Sequence, residues 1–191
     1  MRLTPFTKLR RFARDESGIS AVEFALIAPL MVMIYFGCIE LSLMMTLDRK
    51  VTGATAALGD LTSRSSTVSN ADLTDIFEAT RMVMQPNDMT GARMRVSSLY
   101  EDSGQVKVAW SDGCNLTPYS ADEVVIIPAN LIPTAGTIIM AEIEYDYTSG
   151  IGYFFSSSKQ LSDKFYLRPR RVDSITRDRT AGSFSCAYTA P

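Results

Sequence analysis

The feature that most constrains this chain is an apolar stretch near its beginning, residues 19–47, in which only Glu23 and Glu40 carry charge. The uncharged run between them, residues 24–39, is shorter than the ~20 residues a helix needs to cross a bilayer core. The whole stretch is long enough to cross. Glu40 then falls near the far interface, where a carboxylate is tolerated. Glu23 falls inside the apolar segment close to its start, where an ionisable group costs up to ~2.5–3.5 kcal/mol at full depth and is usually paired. Two readings follow: the side chain bends toward lipid headgroups, or it meets a cation supplied by another chain.

Residues 1–14 hold Arg2, Lys8, Arg10, Arg11 and Arg14 and no acid; Asp15 and Glu16 follow. A basic leader ahead of an apolar run is a targeting pattern that keeps the N-terminus in the cytoplasm. An ordinary secretory signal is cut after its apolar region. Here the small pair Ser17-Gly18 stands before it, so cleavage would leave the apolar helix on the mature chain, with Ile19 first and Glu23 fifth.

The segment G-I-S-A-V-E-F-A-L-I-A-P-L (18–30) resembles type IV prepilin signals, most closely those of the TadE-like family of tight-adherence (Tad) pilus proteins. The resemblance implies cleavage by a prepilin peptidase between Gly18 and Ile19, and assembly roles for Glu23 and Phe24. It implies a minor pilin or pseudopilin that primes or enters an adhesive, biofilm-forming pilus. Its partners would be that peptidase, other Tad pilins or pseudopilins and an inner-membrane assembly platform. A free α-amino group on Ile19 would be cationic near neutrality, with a pKa of ~7.7–8. It is a suitable partner for the Glu23 of a neighbouring subunit in a low-dielectric bundle.

Beyond the membrane segment the helix is expected to continue to about Ser63. Leu47, Val51, Ala54, Leu58 and Leu61 recur at helical spacing and form one apolar stripe. Pro29 removes a backbone donor and favours a bend, and Gly37 is a second weak point. Residues 62–70 are polar and read as a linker. Ser69-Asn70-Ala71-Asp72 offers a helix start, and Leu73, Ile76, Phe77, Thr80, Val83 and Met84 keep a helical period until Pro86-Asn87. From Ala92 the period changes to two. Residues 92–110 read as a hairpin turning at 101–104, followed by a polar loop holding Cys114. The residues at 123–127 form a short apolar run, and 133–136 (P-T-A-G) a turn. The clearest strand is 137–147: Ile139, Ala141, Ile143, Tyr145 and Tyr147 share one face, and Met140, Glu142, Glu144 and Asp146 the other. A last strand is expected over 164–170, extended at 173–176. The fold class is α+β: a long transmembrane helix continuing into an extracytoplasmic, pilin-like domain with a second helix and an antiparallel sheet of about four strands. The domain boundaries are a cleaved leader over 1–18, a membrane segment over 19–46 and the outer domain over 47–191.

Three cysteines occur, with no C-x-x-C pair and no histidine in the chain. Zinc or thioredoxin-type chemistry therefore has no motif to rest on, and no cofactor or metal is expected. Cys38 lies in the membrane segment, so an oxidising compartment leaves one pairing, Cys114 with Cys186. The acidic row Glu142, Glu144, Asp146 is too spread along one strand to wrap a single cation; the expected partners are Arg168 and Arg170 on the next strand. Asn115-Leu116-Thr117 fits a glycosylation sequon, a pattern short enough to arise by chance. A net charge of −2 is not that of a nucleic-acid binder, and no spacing of Ser, Asp or Glu marks an enzyme. The chain is expected to be single-pass in the bacterial inner membrane, N-terminus cytoplasmic and C-terminal domain periplasmic, with an extracellular pilus as a further location. The competing reading is an uncleaved, signal-anchored extracytoplasmic binding or scaffold protein that never polymerises.

Overall fold

A computed structural model describes residues 18–132, 136–152 and 157–186; the basic leader and most of the 133–136 turn lie outside them. The chain divides into two compact units, Met1–Ser42 and Leu43–Pro191. Helix α1, Ile19–Ser63, passes through Pro29 without ending and contributes to both.

In the second unit, α1 presents the stripe expected of it: Leu47, Val51, Ala54 and Leu58 are all buried. A two-residue strand follows, β1 (Thr67–Val68), and then helix α2 (Asn70–Met84). Ser69 caps α2 reciprocally. Its hydroxyl accepts from the Asp72 amide at 3.1 Å, and the Asp72 carboxylate accepts from the Ser69 amide at 2.9 Å. This satisfies two amides that a helix start would otherwise leave open, a stabilisation of ~1 kcal/mol. The buried residues of α2 are Leu73, Ile76, Phe77, Thr80, Arg81 and Met84, one continuous face.

Strands β2 (Arg93–Asp102), β3 (Gln105–Cys114), β4 (Thr137–Tyr147) and β5 (Lys159–Leu167) form an antiparallel sheet in the order β3-β2-β4-β5. The alternation in β4 assigns its two faces. Ile139, Ala141, Ile143 and Tyr147 join Met94, Val96 and Trp110 in one core with the apolar stripes of α1 and α2. Ile138 and Met140 join Leu99 and Val108 in a second, smaller core. Val125, Ile127 and Leu131 of the loop after β3 pack against it. Both helices therefore cover one face of the sheet, and a loop covers part of the other. At Gly59, α1 comes so close to the sheet that a Cβ would stand 2.6 Å from Leu167 Cδ1 and 3.4 Å from Ala141 Cβ. Glycine here leaves room for the Leu167 side chain, which would have to move to admit a Cβ.

Three sequence expectations are corrected. Residues 62–70 are not a free linker: α1 runs to Ser63, and β1 pairs in parallel with β6 (Thr176–Arg177), with Val68 fully buried. Cys114 ends β3 rather than sitting in a loop, because Ser111 finds a polar partner across the sheet, its hydroxyl 2.8 Å from that of Ser97, and Asp112 finds one in Arg177 of β6. The last sheet strand is Lys159–Leu167, not 164–170. Pro169 has no amide to donate, and the strand begins earlier in a polar stretch whose alternation is faint because it is an edge.

Candidate functional site

The residues singled out for processing and assembly all lie at the start of α1. Gly18 is exposed and immediately precedes the helix, so the Gly18–Ile19 peptide bond stands at the boundary between helix and leader. Gly18 is not in a left-handed conformation, and an added Cβ would meet nothing within 4 Å. Neither backbone geometry nor packing within the described residues requires glycine there. Ile19 and Glu23 are one helical turn apart and share a face. Glu23 is exposed and has no ion-pair partner among the described residues, and Phe24 is 70% exposed.

The same is true of the apolar side chains around them. Val22, Leu26, Leu30, Met31, Ile34 and Tyr35 are all exposed, and none of the most apolar 18-residue window of α1 is buried. A contiguous apolar surface of this extent is far beyond the few hundred Å² that soluble monomers leave bare. It calls for lipid or for other apolar helices, and it fits a single-pass membrane anchor. Cys38 is a free, exposed thiol on this helix. Glu40 is fully buried.

The acidic row of β4 is a ladder of ion pairs, and the partners differ from those expected. The register sets Arg95 opposite Glu142 and Arg93 opposite Glu144 on β2, and Lys164 opposite Glu142 on β5. Arg95 Nε reaches Glu142 Oε2 at 2.6 Å, and Lys164 Nζ reaches Glu142 Oε1 at 2.8 Å. Arg93 spans Glu144 at 3.0 Å and Asp146 at 2.7 Å. Arg170, expected here, pairs instead with Asp60 of α1. All three carboxylates are thus held by cations of their own chain. Among the described residues no group of three or more Cys, Asp or Glu is placed to hold a metal.

Burial by itself would raise the Glu142 carboxyl, but hydrogen bonds from Arg95 and Lys164 and their positive charges more than offset it. The group is held below the usual glutamate range. The folded value is therefore lower than the unfolded value of ~4.3. The stabilisation is present above that pH and is lost as pH falls through the folded value. Urea unfolding between pH 6 and pH 3 should show falling stability toward acid, with a shallower acid limb in Glu142→Gln, which starts out less stable at pH 7. An identical limb in both proteins would remove Glu142 from the acid response.

Cys114 and Cys186 are joined as a disulfide, with Cα atoms 5.5 Å apart across a separation of 72 residues. Two arginines important to this domain carry no motif and escape sequence reading. Arg81 is buried against Cys114 Sγ, and Arg177 is buried against Asp112. Asn115, the sequon residue, uses its side-chain amide to donate to the carbonyls of Ala92 at 3.0 Å and Thr90 at 3.3 Å.

Comparison with known proteins gives one family match, to the model described as TadE-like protein, over residues 18–58. No curated protein and no solved structure matches the chain. The matched residues begin at Gly18 and extend along α1 into the second unit.

Proposed function

We propose, from a chain that is TadE-like over residues 18–58 and so related to Tad pilus proteins, that it is a minor pilin or pseudopilin. A prepilin peptidase cuts it between Gly18 and Ile19. The apolar part of α1 holds it in the inner membrane, and the 43–191 unit stands on the periplasmic side. From there it primes a Tad-type adhesive pilus or enters one, in contact with other Tad pilins and the assembly platform. Its role is structural rather than enzymatic.

The observation that carries this reading is that Gly18, Glu23 and Phe24 do nothing for their own chain among the described residues. The glycine is not needed by backbone or packing, the carboxylate has no cation, and the ring packs on little. Residues exposed and unused in this way, in an apolar helix, answer to something outside the chain. A peptidase subsite that admits only glycine would account for Gly18. A neighbour's α-amino group would account for Glu23, and a neighbour's helix for Phe24.

N-terminal sequencing of the membrane-extracted protein tests the first step. The expected start is Ile19, and in cells lacking the prepilin peptidase the start reverts to the leader. A native protein that keeps its arginine-rich leader is the uncleaved anchor of the competing reading.

A further inference from the structure

Residues 178–186 form a strap laid along α2. The Asn70 amide donates to the Ala181 carbonyl at 3.0 Å, and the Asn70 side chain donates to the carbonyls of Arg179 and Gly182. The Ser185 amide donates to Thr74 Oγ1 at 3.1 Å, and the Phe184 ring lies 5.9 Å from that of Phe77. At its end Cys186 is bonded to Cys114. Arg81 stands at this bond: its Nη2 lies 2.8 Å from Cys114 Sγ and donates to the Cys186 carbonyl at 2.9 Å, while Nη1 reaches Glu78 at 3.4 Å. Arg81 and Cys114 are almost wholly buried, whereas Cys186 is only partly so.

The two sulfurs of this bond are therefore unequal. Cys114 is fully buried with a guanidinium 2.8 Å from its sulfur, whereas Cys186 is partly exposed and meets the same guanidinium through its carbonyl. Thiol–disulfide exchange goes faster when the departing sulfur is the better-stabilised thiolate, and it needs access to the sulfur under attack. Both conditions select the same direction. We propose that the Cys114–Cys186 bond is an exchangeable latch on the strap, opened by a dithiol reductant that attacks Cys186 and expels Cys114 as a thiolate held by Arg81.

In the first step a thiolate of the reductant forms a bond to Cys186 Sγ as the Cys186–Cys114 bond breaks, and the electron pair leaves on Cys114. In the second, the reductant's other thiolate attacks its own sulfur in the mixed disulfide and releases Cys186, which takes up a proton. The reductant is oxidised to its disulfide, and the protein gains two electrons. The strap then loses its covalent tie and is held by non-covalent contacts, among them its hydrogen bonds, the Phe184 ring and the Arg179–Asp112 pair, and can lift from α2. Closure by a disulfide donor runs the same steps in reverse, through a mixed disulfide on Cys186.

Glutathione serves as a single-thiol probe of the full chain in detergent. After brief exposure, quenching with an alkylating reagent and peptide mapping, glutathione is expected on Cys186 and the alkyl label on Cys114. Glutathione found on Cys114, or equally on both, overturns the proposal. Arg81→Met is expected to slow reduction about tenfold, with Arg81→Lys recovering most of the rate; equal rates in all three proteins overturn it. The mapping of the unmodified chain stands even if Arg81→Met fails to fold.

Discussion

Replacing Glu23 with leucine should cut the amount of this chain recovered with sheared filaments to background, while its membrane level and its processing at Ile19 stay unchanged. Leucine removes an ionisable group from an apolar segment, so insertion becomes easier, not harder, by up to ~2.5–3.5 kcal/mol at full depth. Loss of assembly could not then be blamed on loss of anchoring. What disappears is the charge that the proposed assembly uses for docking. In the bundle, Glu23 and the α-amino group of a neighbouring Ile19 would each offset the other's desolvation. Removing one leaves the other a buried, unpaired ion, at ~3–5 kcal/mol per contact. Glu23→Asp keeps the charge on a shorter stem and should assemble partially; Glu23→Gln should behave like leucine. A leucine variant that travels with filaments at the normal level removes the electrostatic role and leaves Glu23 a tolerated oddity.

The second large effect is on the outer unit. Arg177→Met should lower its stability by ~3–5 kcal/mol, the range for breaking a buried ion pair from one side. Only 3% of the Arg177 side chain is exposed. Its Nε donates to Asp112 Oδ2 at 2.8 Å and its Nη2 to Asp112 Oδ1 at 3.2 Å. The remaining donors reach Asn70 Oδ1 and the carbonyls of Val68 and Asp178. One guanidinium thus ties β1, the start of α2, β3 and β6. Lysine cannot replace it, since a single ammonium cannot fork to both carboxylate oxygens and still reach the carbonyls. For a unit of this size the loss corresponds to a melting temperature lower by on the order of 10 °C. Trp110, the single tryptophan, donates to the Ile175 carbonyl two residues before Arg177, so its fluorescence follows the region directly. Arg179→Met is the control. Arg179 is 60% exposed and stands 3.4 Å from Asp112, a contact expected to contribute under ~1 kcal/mol. Equal melting of the two variants would show that Arg177 does not hold the strands together.

Much of this architecture was legible because its signals are local. The stripe Leu47–Val51–Ala54–Leu58 extends α1 to Ser63, the Ser69/Asp72 pair starts α2, and the strict alternation of β4 assigns both its faces. The failures share a cause as well. The strand at 67–68 was hidden because its partner is 109 residues away, and two residues carry no period. The ion pairs of β4 were expected from the right acids but assigned to Arg168 and Arg170; on the expected strand the partner is Lys164, and the rest come from β2. The arginines opposite them, Arg93 and Arg95, sit on β2, and only the sheet order β3-β2-β4-β5 puts β2 beside β4.

The assembly segment is the reverse case. Gly18, Ile19, Glu23 and Phe24 were singled out from spacing and resemblance alone and their roles are proposed; the folded chain adds that Gly18 has no neighbour within 4 Å of an added Cβ and that Ile19, Glu23 and Phe24 are exposed. What the sequence by itself determined is whatever depends on neighbours within a few turns: the membrane-length helix, its odd carboxylate, the helix caps and the strand faces. The tertiary structure decided which distant charges meet, that Gly59 packs against Leu167, and that Arg81 stands against one sulfur of a bond it does not belong to. Local order follows from backbone geometry repeating every 2 or 3.6 residues. Pairings between distant segments depend on how the sheet closes over the helices, and no period along the chain records that.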